Sequence, residues 1–230
     1  MPEKTDRLAE AALTLRGGRM GGENTRRHIL AKATDLASLA GLEGLTIGRL
    51  AAQLSLSKSG LFAHFGSKKE LQAAVVDHAT EMFLSEVVVP VLNVDRGAPR
   101  LAAMLESWLS YVERSVFPGG CFFASASLEF DDRPGKVRDI LALRTRWWLE
   151  SIEEEIRVAQ ARAHFRAGID PAQLAFELHA LGQEANWGFQ MFRDPRWFKR
   201  TRKSFADALA RAAAPRRSSH SPRRRRRPPR

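Results

Sequence analysis

Cysteine occurs once in this chain, at Cys121, so no disulfide can join two of its parts, and such usage suits a reducing cytoplasm. No run approaches the roughly 18 uncharged apolar residues that a membrane span needs, so no membrane partner is expected. The opening segment "MPEKTDRLAEAALTLRGGRMGGENT" carries acids and has no apolar core of signal-peptide length, so export is not expected. Almost no segment alternates in polarity as a half-buried strand does. The six histidines lack metal-ligand spacing; His164 and His179 fall on different expected helices with no cysteine or acid pattern around them. Nucleophile elbow, phosphate loop and dinucleotide fingerprint are all missing, which argues against an enzyme and against a bound cofactor.

What is present is basic charge, unevenly placed. The chain has 230 residues, 44% hydrophobic, with room for one large domain or a small one plus a larger one. Its net charge is +11. Residues 1–24 are neutral overall, residues 25–71 carry +4, residues 72–214 carry −1, and residues 215–230 carry +8 from eight arginines and no acid. One compact segment and one tail therefore hold the excess. The tail "PRRSSHSPRRRRRPPR" is low-complexity, has nothing to bury and is expected to be disordered.

Helical spacing recurs throughout, so the expected class is all-α with about nine helices. "RRHILAKATDLASLAG" puts Ile29, Ala33, Leu36, Ala37 and Ala40 on one face and ends at Gly41. Thr46 can cap a second helix with a stripe of Ile47, Leu50, Ala51 and Leu54. Ser57 can cap a short third helix carrying Leu61, Phe62 and Phe65. Ser67 and Glu70 form a capping box for a fourth, which runs through Leu71, Val75, His78 and Met82. Beyond Pro90, "PRLAAMLESWLSYVERSVF" is amphipathic, "CFFASASLEF" is a short apolar piece, and residues 136–163 read as one long helix. "IDPAQ" and "RDPRW" each place an aspartate cap before a helix-starting proline, opening helices near 171–192 and 195–213.

The closely spaced second and third helices meet the demands of a helix-turn-helix reader. Ala51 is small enough for the third helix to cross the second closely, and "SLS" is a turn of the length that sets the crossing angle. Leu56 and Leu61 are placed to pin the reading helix to its support. The reading helix opens with "SKSG": Ser57 and Ser59 are short donor-acceptors, Lys58 can reach a base edge or phosphate, and Gly60 allows close backbone approach. "GSKKE" then starts a helix whose free N–H groups, with Lys68 and Lys69, suit a phosphate. A single reading helix covers only a few base pairs, so a symmetric homodimer on a palindrome is expected.

With these residues in register, "AGLEGLTIGRLAAQLSLSKSGLFAHFGSKKEL" within residues 25–71 resembles the DNA-binding domain of the tetracycline-repressor (TetR) family of bacterial transcriptional regulators. The resemblance implies a cytoplasmic repressor, nucleoid-associated when bound, whose small-molecule effector pivots the fourth helix and spoils the spacing of two reading helices on operator DNA. It places Lys58, Ser59 and Gly60 at base edges and Arg26, Thr46, Phe62, His64 and Lys68 along the phosphates. Phe62 departs from the tyrosine common there, and Ser55 from the glycine common in the turn. The implied layout is an arm at 1–24, the reader at 25–71, an effector-binding and dimerisation domain at 72–213, and a disordered tail at 214–230.

Within the larger part, Trp108, Phe122, Phe123, Trp147, Trp148 and Trp187 are candidates for lining an effector pocket, or simply core. Glu184 and Asn186 flank Trp187 and can orient a ligand or pair across a dimer interface. Leu174, Leu178, Leu181, Phe189, Phe198 and Phe205 on the last two helices suit a four-helix interface built from two chains. His64 can touch phosphate or pack beside Phe65, and Cys121 is a redox sensor or a small buried hydrophobe. Two other classes share this composition: a non-specific basic DNA-binding protein, and a helical small-molecule-binding protein or enzyme whose basic segments attract acidic partners.

Overall fold

The computed structural model describes residues 6–14 and 23–215. The basic tail beyond residue 215, and the parts of the arm at residues 1–5 and 15–22, lie outside the described residues. Among the described residues ten α-helices follow in order: α1 (Arg7–Thr14), α2 (Glu23–Ala40), α3 (Ile47–Leu54), α4 (Lys58–Phe65), α5 (Lys68–Phe83), α6 (Ala98–Glu113), α7 (Phe122–Phe130), α8 (Lys136–Ala161), α9 (Pro171–Phe192) and α10 (Arg196–Ala212). Extended pairing among the described residues is confined to one bridge, Phe165 to Ala213.

The start signals work through short-range chemistry. Thr46 accepts from the Arg49 N–H at 3.1 Å, Ser57 from Gly60 at 3.0 Å, Ser67 from Glu70 at 3.1 Å, and Asp170 from Ala172 at 2.9 Å. Each satisfies one of the orphan donors of a first helical turn, a contribution of about 1 kcal/mol. Only half of the expected capping box at Ser67 forms. The Glu70 carboxylate reaches across to Lys136 on α8 at 2.7 and 2.8 Å instead of back to its own helix.

Residues 7–14, read as part of a flexible arm, form a helix. Leu8 is buried, and Asp6 just before the helix pairs with Arg100. That pair belongs to a nearly closed ionic cluster in which Arg96 donates to Glu154 at 2.6 Å and to Glu155 at 2.8 Å. Glu155 also accepts the Gly97 N–H at 2.7 Å, so its buried carboxylate is fully engaged. A tertiary ion pair supplies the order that so short a segment lacks alone.

At its far end α5 loosens into a π-turn over Leu84–Val88 and a short 3₁₀ turn over Val89–Val91. Pro90 has no N–H to continue the ladder, which accounts for the change of winding ahead of it. The larger part of the chain packs α6, α8, α9 and α10 with α5 around an aromatic core. Phe83 meets Tyr111, Phe123 and Trp148 edge-on at 5.0–5.9 Å between ring centres.

Candidate nucleic-acid interface and ligand cavity

The three helices α2, α3 and α4 pack on Leu45, Leu50, Ala51 and Leu61, all buried. Ala51 does provide the close crossing. Leu56 does not pin α4 as expected: its side chain is 42% exposed. Its backbone N–H closes the end of α3 instead, donating to the Ala51 carbonyl at 2.9 Å, while Ser55 donates to Ala52. These bonds form a Schellman turn and require a left-handed residue, and Ser55 adopts φ 55° and ψ 34°.

At the outer end of α4, Lys58, Ser59 and Gly60 are exposed. Ser57 is committed to capping and also lies 3.2 Å from the Ser59 hydroxyl, so it shapes the helix start. The Lys58 stem crosses Gly48 of α3, where an added Cβ would stand 3.4 Å from Lys58 Cε. Sequence reasoning passed over Gly48. A glycine inside an eight-residue helix, costing about 1 kcal/mol against alanine, was the available signal.

Along the same surface Phe62 is 55% exposed and His64 is exposed beside the Phe65 ring at 6.2 Å. The Arg26 guanidinium lies over that ring at 5.3 Å. Thr46 caps α3 and Lys69 is exposed. Lys68 is not free for a phosphate: it donates to Glu43 at 2.6 Å. The Lys68 hydrogen bond, helped by one from Gln72, holds the Glu43 carboxyl below its ordinary value. The pair is half exposed and exchanges for another anion at little cost.

The reader is tied to the rest of the chain by contacts that sequence spacing does not reveal. Glu129 of α7 accepts the N–H groups of Leu42 at 2.6 Å and Glu43 at 2.9 Å, closing the loop between α2 and α3. Gly41 there has φ 82°, and a Cβ on it would stand 2.6 Å from the Glu129 carboxylate. Gly119 packs so tightly on α2 that a Cβ would lie 1.8 Å from the Ser38 carbonyl oxygen. Burial pushes the His78 imidazole of α5 below the ordinary histidine value. Its Nδ1 lies 3.1 Å from the Thr34 hydroxyl, which donates to Leu30 and so accepts from the ring.

Among α5, α6, α7, α8 and α9 lies a cavity of about 40 Å³ walled by Phe83, Trp108, Cys121, Phe123, Trp147 and Trp148. Of the residues considered as pocket lining, Trp108, Phe123, Trp147 and Trp148 face this cavity. Phe122 turns into the core against Phe117 and Phe123, and Glu184 and Trp187 lie on the exposed outer face of α9, away from the cavity. Asn186 is buried and accepts the Cys121 N–H at 2.8 Å, fixing the start of α7. Cys121 is buried, and that burial raises its thiol pKa, which favours the small-hydrophobe reading.

Five polar residues of the wall carried no signal in the sequence: Thr80, Arg144, Thr145, His179 and Gln183. On long amphipathic helices such residues read as solvated face, and no local signal marks them. His179 stacks on Trp108 at 5.5 Å and 17°, and its burial lowers its pKa. Gly182 permits this arrangement, since a Cβ there would sit 2.1 Å from the Trp108 ring. Among the described residues no group of three histidine, cysteine or acidic side chains gathers as a metal site would require.

The residues expected at a dimer interface mostly face inward. Leu174, Leu178, Phe198 and Phe205 are buried in the chain's own bundle, and Leu181 and Phe189 pack partly against the same core. The largest apolar side chains of α9 and α10 were the natural choice for an interface, but the intramolecular core takes them. The large apolar side chains that α9 exposes are Phe176 (64%), Trp187 (47%), Met191 (60%) and Phe192 (57%).

Comparison with known proteins follows the same division. Residues 29–75 match the family described as "Bacterial regulatory proteins, tetR family", and residues 97–205 match "Tetracyclin repressor-like, C-terminal domain". A solved TetR transcriptional regulator from Chloroflexus aurantiacus superposes with a TM-score of 0.78 at 25% identity, covering 84% of this chain and 97% of that one. AibR, solved in complex with isovaleryl coenzyme A and operator DNA, superposes with a TM-score of 0.64 at 20% identity, covering 82% and 98%. The nucleoid occlusion factor SlmA of Haemophilus influenzae is 26% identical over 80 residues, 35% of this chain and 37% of that protein. The match therefore spans little more than a third of the length of that curated relative. No helix among the described residues is long and apolar enough to cross a membrane.

Proposed function

The chain belongs to the tetracycline-repressor family and is a transcriptional regulator with a helix-turn-helix DNA-binding domain, and from that premise we propose that it is a homodimeric repressor released from a palindromic operator by a small molecule. The observation that carries this reading is the free outer end of α4. Lys58, Ser59 and Gly60 are exposed there at a helix start that Ser57 caps, on a support held by buried Leu50, Ala51 and Leu61. Such a helix start presents a cation, a hydroxyl and bare backbone to base edges. Arg26, Thr46, Phe62, His64 and Lys69 flank it toward the phosphates, and Lys68 joins them by exchanging Glu43 for phosphate.

The exposed stripe of Phe176, Trp187 and Met191 on α9 is the surface we assign to the second copy. The signal path we assign runs through two helices that touch both cavity and reader. Thr80 and Phe83 of α5 line the cavity, while Gln72 of the same helix donates to the Leu42 carbonyl at 2.9 Å. Phe123 of α7 lines the cavity, and Glu129, six residues on, clamps the α2–α3 loop. A ligand that prefers displaced walls needs only a few kcal/mol of differential affinity to shift the population. AibR, bound to both an acyl coenzyme A and operator DNA, is a relative in which the two ligand types meet on one fold.

Selection of bound duplexes from a random library, with the stoichiometry of the complex measured by light scattering, tests the proposal. A palindrome bound by two chains is expected. Enrichment of no sequence would point instead to non-specific binding and sink the operator reading.

A further inference from the structure

The cavity contains hydrogen-bond donors that nothing among the described residues serves. Arg144 Nε, Thr145 Oγ1 and Trp148 Nε1 are buried and have no hydrogen-bond partner among the described residues. All three residues line the same cavity, and on α8 Trp148 lies at i+4 from Arg144 and i+3 from Thr145, so it neighbours both on the helix surface. The guanidinium and indole N–H groups can only donate. Trp148 is 5% exposed, so its indole N–H is shielded from bulk solvent.

Of the other polar groups of the wall, the Thr80 hydroxyl, His179 Nε2 and the Gln183 amide nitrogen are engaged. Thr80 donates to the Val76 carbonyl at 2.8 Å. His179 Nε2 lies 3.2 Å from the Gln183 amide nitrogen, which can only donate, so the ring accepts there. The nearest carboxylate to Arg144 is Asp77, which takes Arg144 Nη2 at 3.3 Å and does not line the cavity. Donors in search of an acceptor therefore outnumber the acceptors of the wall, where Gln183 supplies an amide oxygen, and the site carries a guanidinium. Apart from Cys121, everything else facing it is flat and aromatic, with Trp148 edge-on to Phe83 at 5.0 Å and to Trp108 at 5.8 Å.

Resting on the reading of the chain as a ligand-controlled regulator, we infer that the effector is a small planar aromatic carboxylate. Its carboxylate is held by Arg144, Thr145 and Trp148, and its ring lies among Phe83, Phe123 and Trp147. The carboxylate supplies the acceptors that the three donors lack, and the guanidinium favours an anion over a neutral carbonyl. At about 40 Å³ the cavity is smaller than one of about 150 Å³ that admits benzene, so entry displaces a wall. Phe123 and Trp147 are only partly buried and are the walls free to yield. Displacing Phe123 acts on α7, the helix that carries Glu129.

Isothermal titration calorimetry on the full chain with 2-naphthoate, methyl 2-naphthoate and octanoate tests this. Naphthoate is expected to bind, and both the ester and the aliphatic acid to bind at least about tenfold more weakly. Trp148→Phe keeps the ring and removes the N–H; it is expected to weaken naphthoate about tenfold and leave the ester unchanged. Arg144→Met is expected to erase the preference for acid over ester. Ester binding equal to acid, octanoate binding equal to naphthoate, or no naphthoate binding by folded wild type would each overturn the assignment. A DNA-shift measurement on the same preparation separates the two readings. DNA binding without naphthoate binding removes the ligand class and leaves the regulator, whereas naphthoate binding without any DNA binding removes the regulator.

Discussion

Glu129→Ala is the perturbation with the clearest expected magnitude. It removes two hydrogen bonds from a carboxylate to the N–H groups of Leu42 and Glu43, at 2.6 and 2.9 Å. Bonds to a charged group contribute about 1.5–3 kcal/mol each, and the half-buried setting lets water replace part of that, so the expected loss is about 2–3 kcal/mol in total. In a chain of this length that lowers the melting temperature by about 5–10 °C. Glu129→Gln keeps one neutral acceptor and is expected to lose about half as much. Gly41 sharpens the test, because an added Cβ would stand 2.6 Å from the same carboxylate at a φ of 82°. Gly41→Ala in the wild-type background meets both the carboxylate and the left-handed backbone strain; with Glu129→Ala present only the strain remains, about 1–2 kcal/mol. The two substitutions are therefore expected to be non-additive by about 1 kcal/mol or more in a double-mutant cycle read by guanidinium denaturation. A Glu129→Ala loss under about 0.5 kcal/mol, or simple additivity with Gly41→Ala, would refute the clamp.

Three further outcomes follow from local geometry. Ser55→Gly relieves a left-handed residue and is expected to stabilise by about 0.5–1 kcal/mol in thermal melts; a destabilisation would show that serine makes a compensating contact. Gly119→Ala drives a methyl group into the Ser38 carbonyl at 1.8 Å, backbone against backbone, so a loss above about 3 kcal/mol is expected by chemical denaturation, and a neutral result would mean the loop is not seated on α2. His78 and His179 are held below the ordinary histidine value by burial, so stability is expected to be full above about pH 6.5 and to decline as pH falls through that value, where the unfolded chain takes up protons that the folded chain refuses. Denaturation midpoints at pH 8 and pH 5.5 should fall further apart for wild type than for His78→Gln; an equal spread would exclude His78 from the effect.

The reader was legible in the sequence because its determinants are short-range. The caps at Thr46, Ser57 and Ser67, the small Ala51 and the glycine stop at Gly41 act within one or two turns. The cavity was legible only in its aromatics, since size alone marks Trp108, Phe123 and Trp147 as pocket or core. Arg144 and Thr145 carry no such mark: on a 26-residue amphipathic helix a polar side chain is ordinarily on the solvent side. Glu129 was hidden for another reason. Its partners lie 86 and 87 residues away, and only the fold brings them together. The α9 assignment went astray because hydrophobicity does not say which face a helix buries. Leu174 and Leu178 turn inward, while Phe176, two residues from each, points out. Helix α1 depends on the Asp6–Arg100 pair and on burial of Leu8, both tertiary events.

The central claim is that the exposed start of α4 reads bases. It is tested most directly by fluorescence anisotropy of wild type and Lys58→Ala on a selected palindromic duplex and on a scrambled duplex of the same length and composition. The expected result is a loss of at least about 30-fold on the palindrome with little change on the scrambled duplex and an unchanged melting temperature. An equal loss on both duplexes would reduce Lys58 to a phosphate contact, and no loss on either would contradict the account.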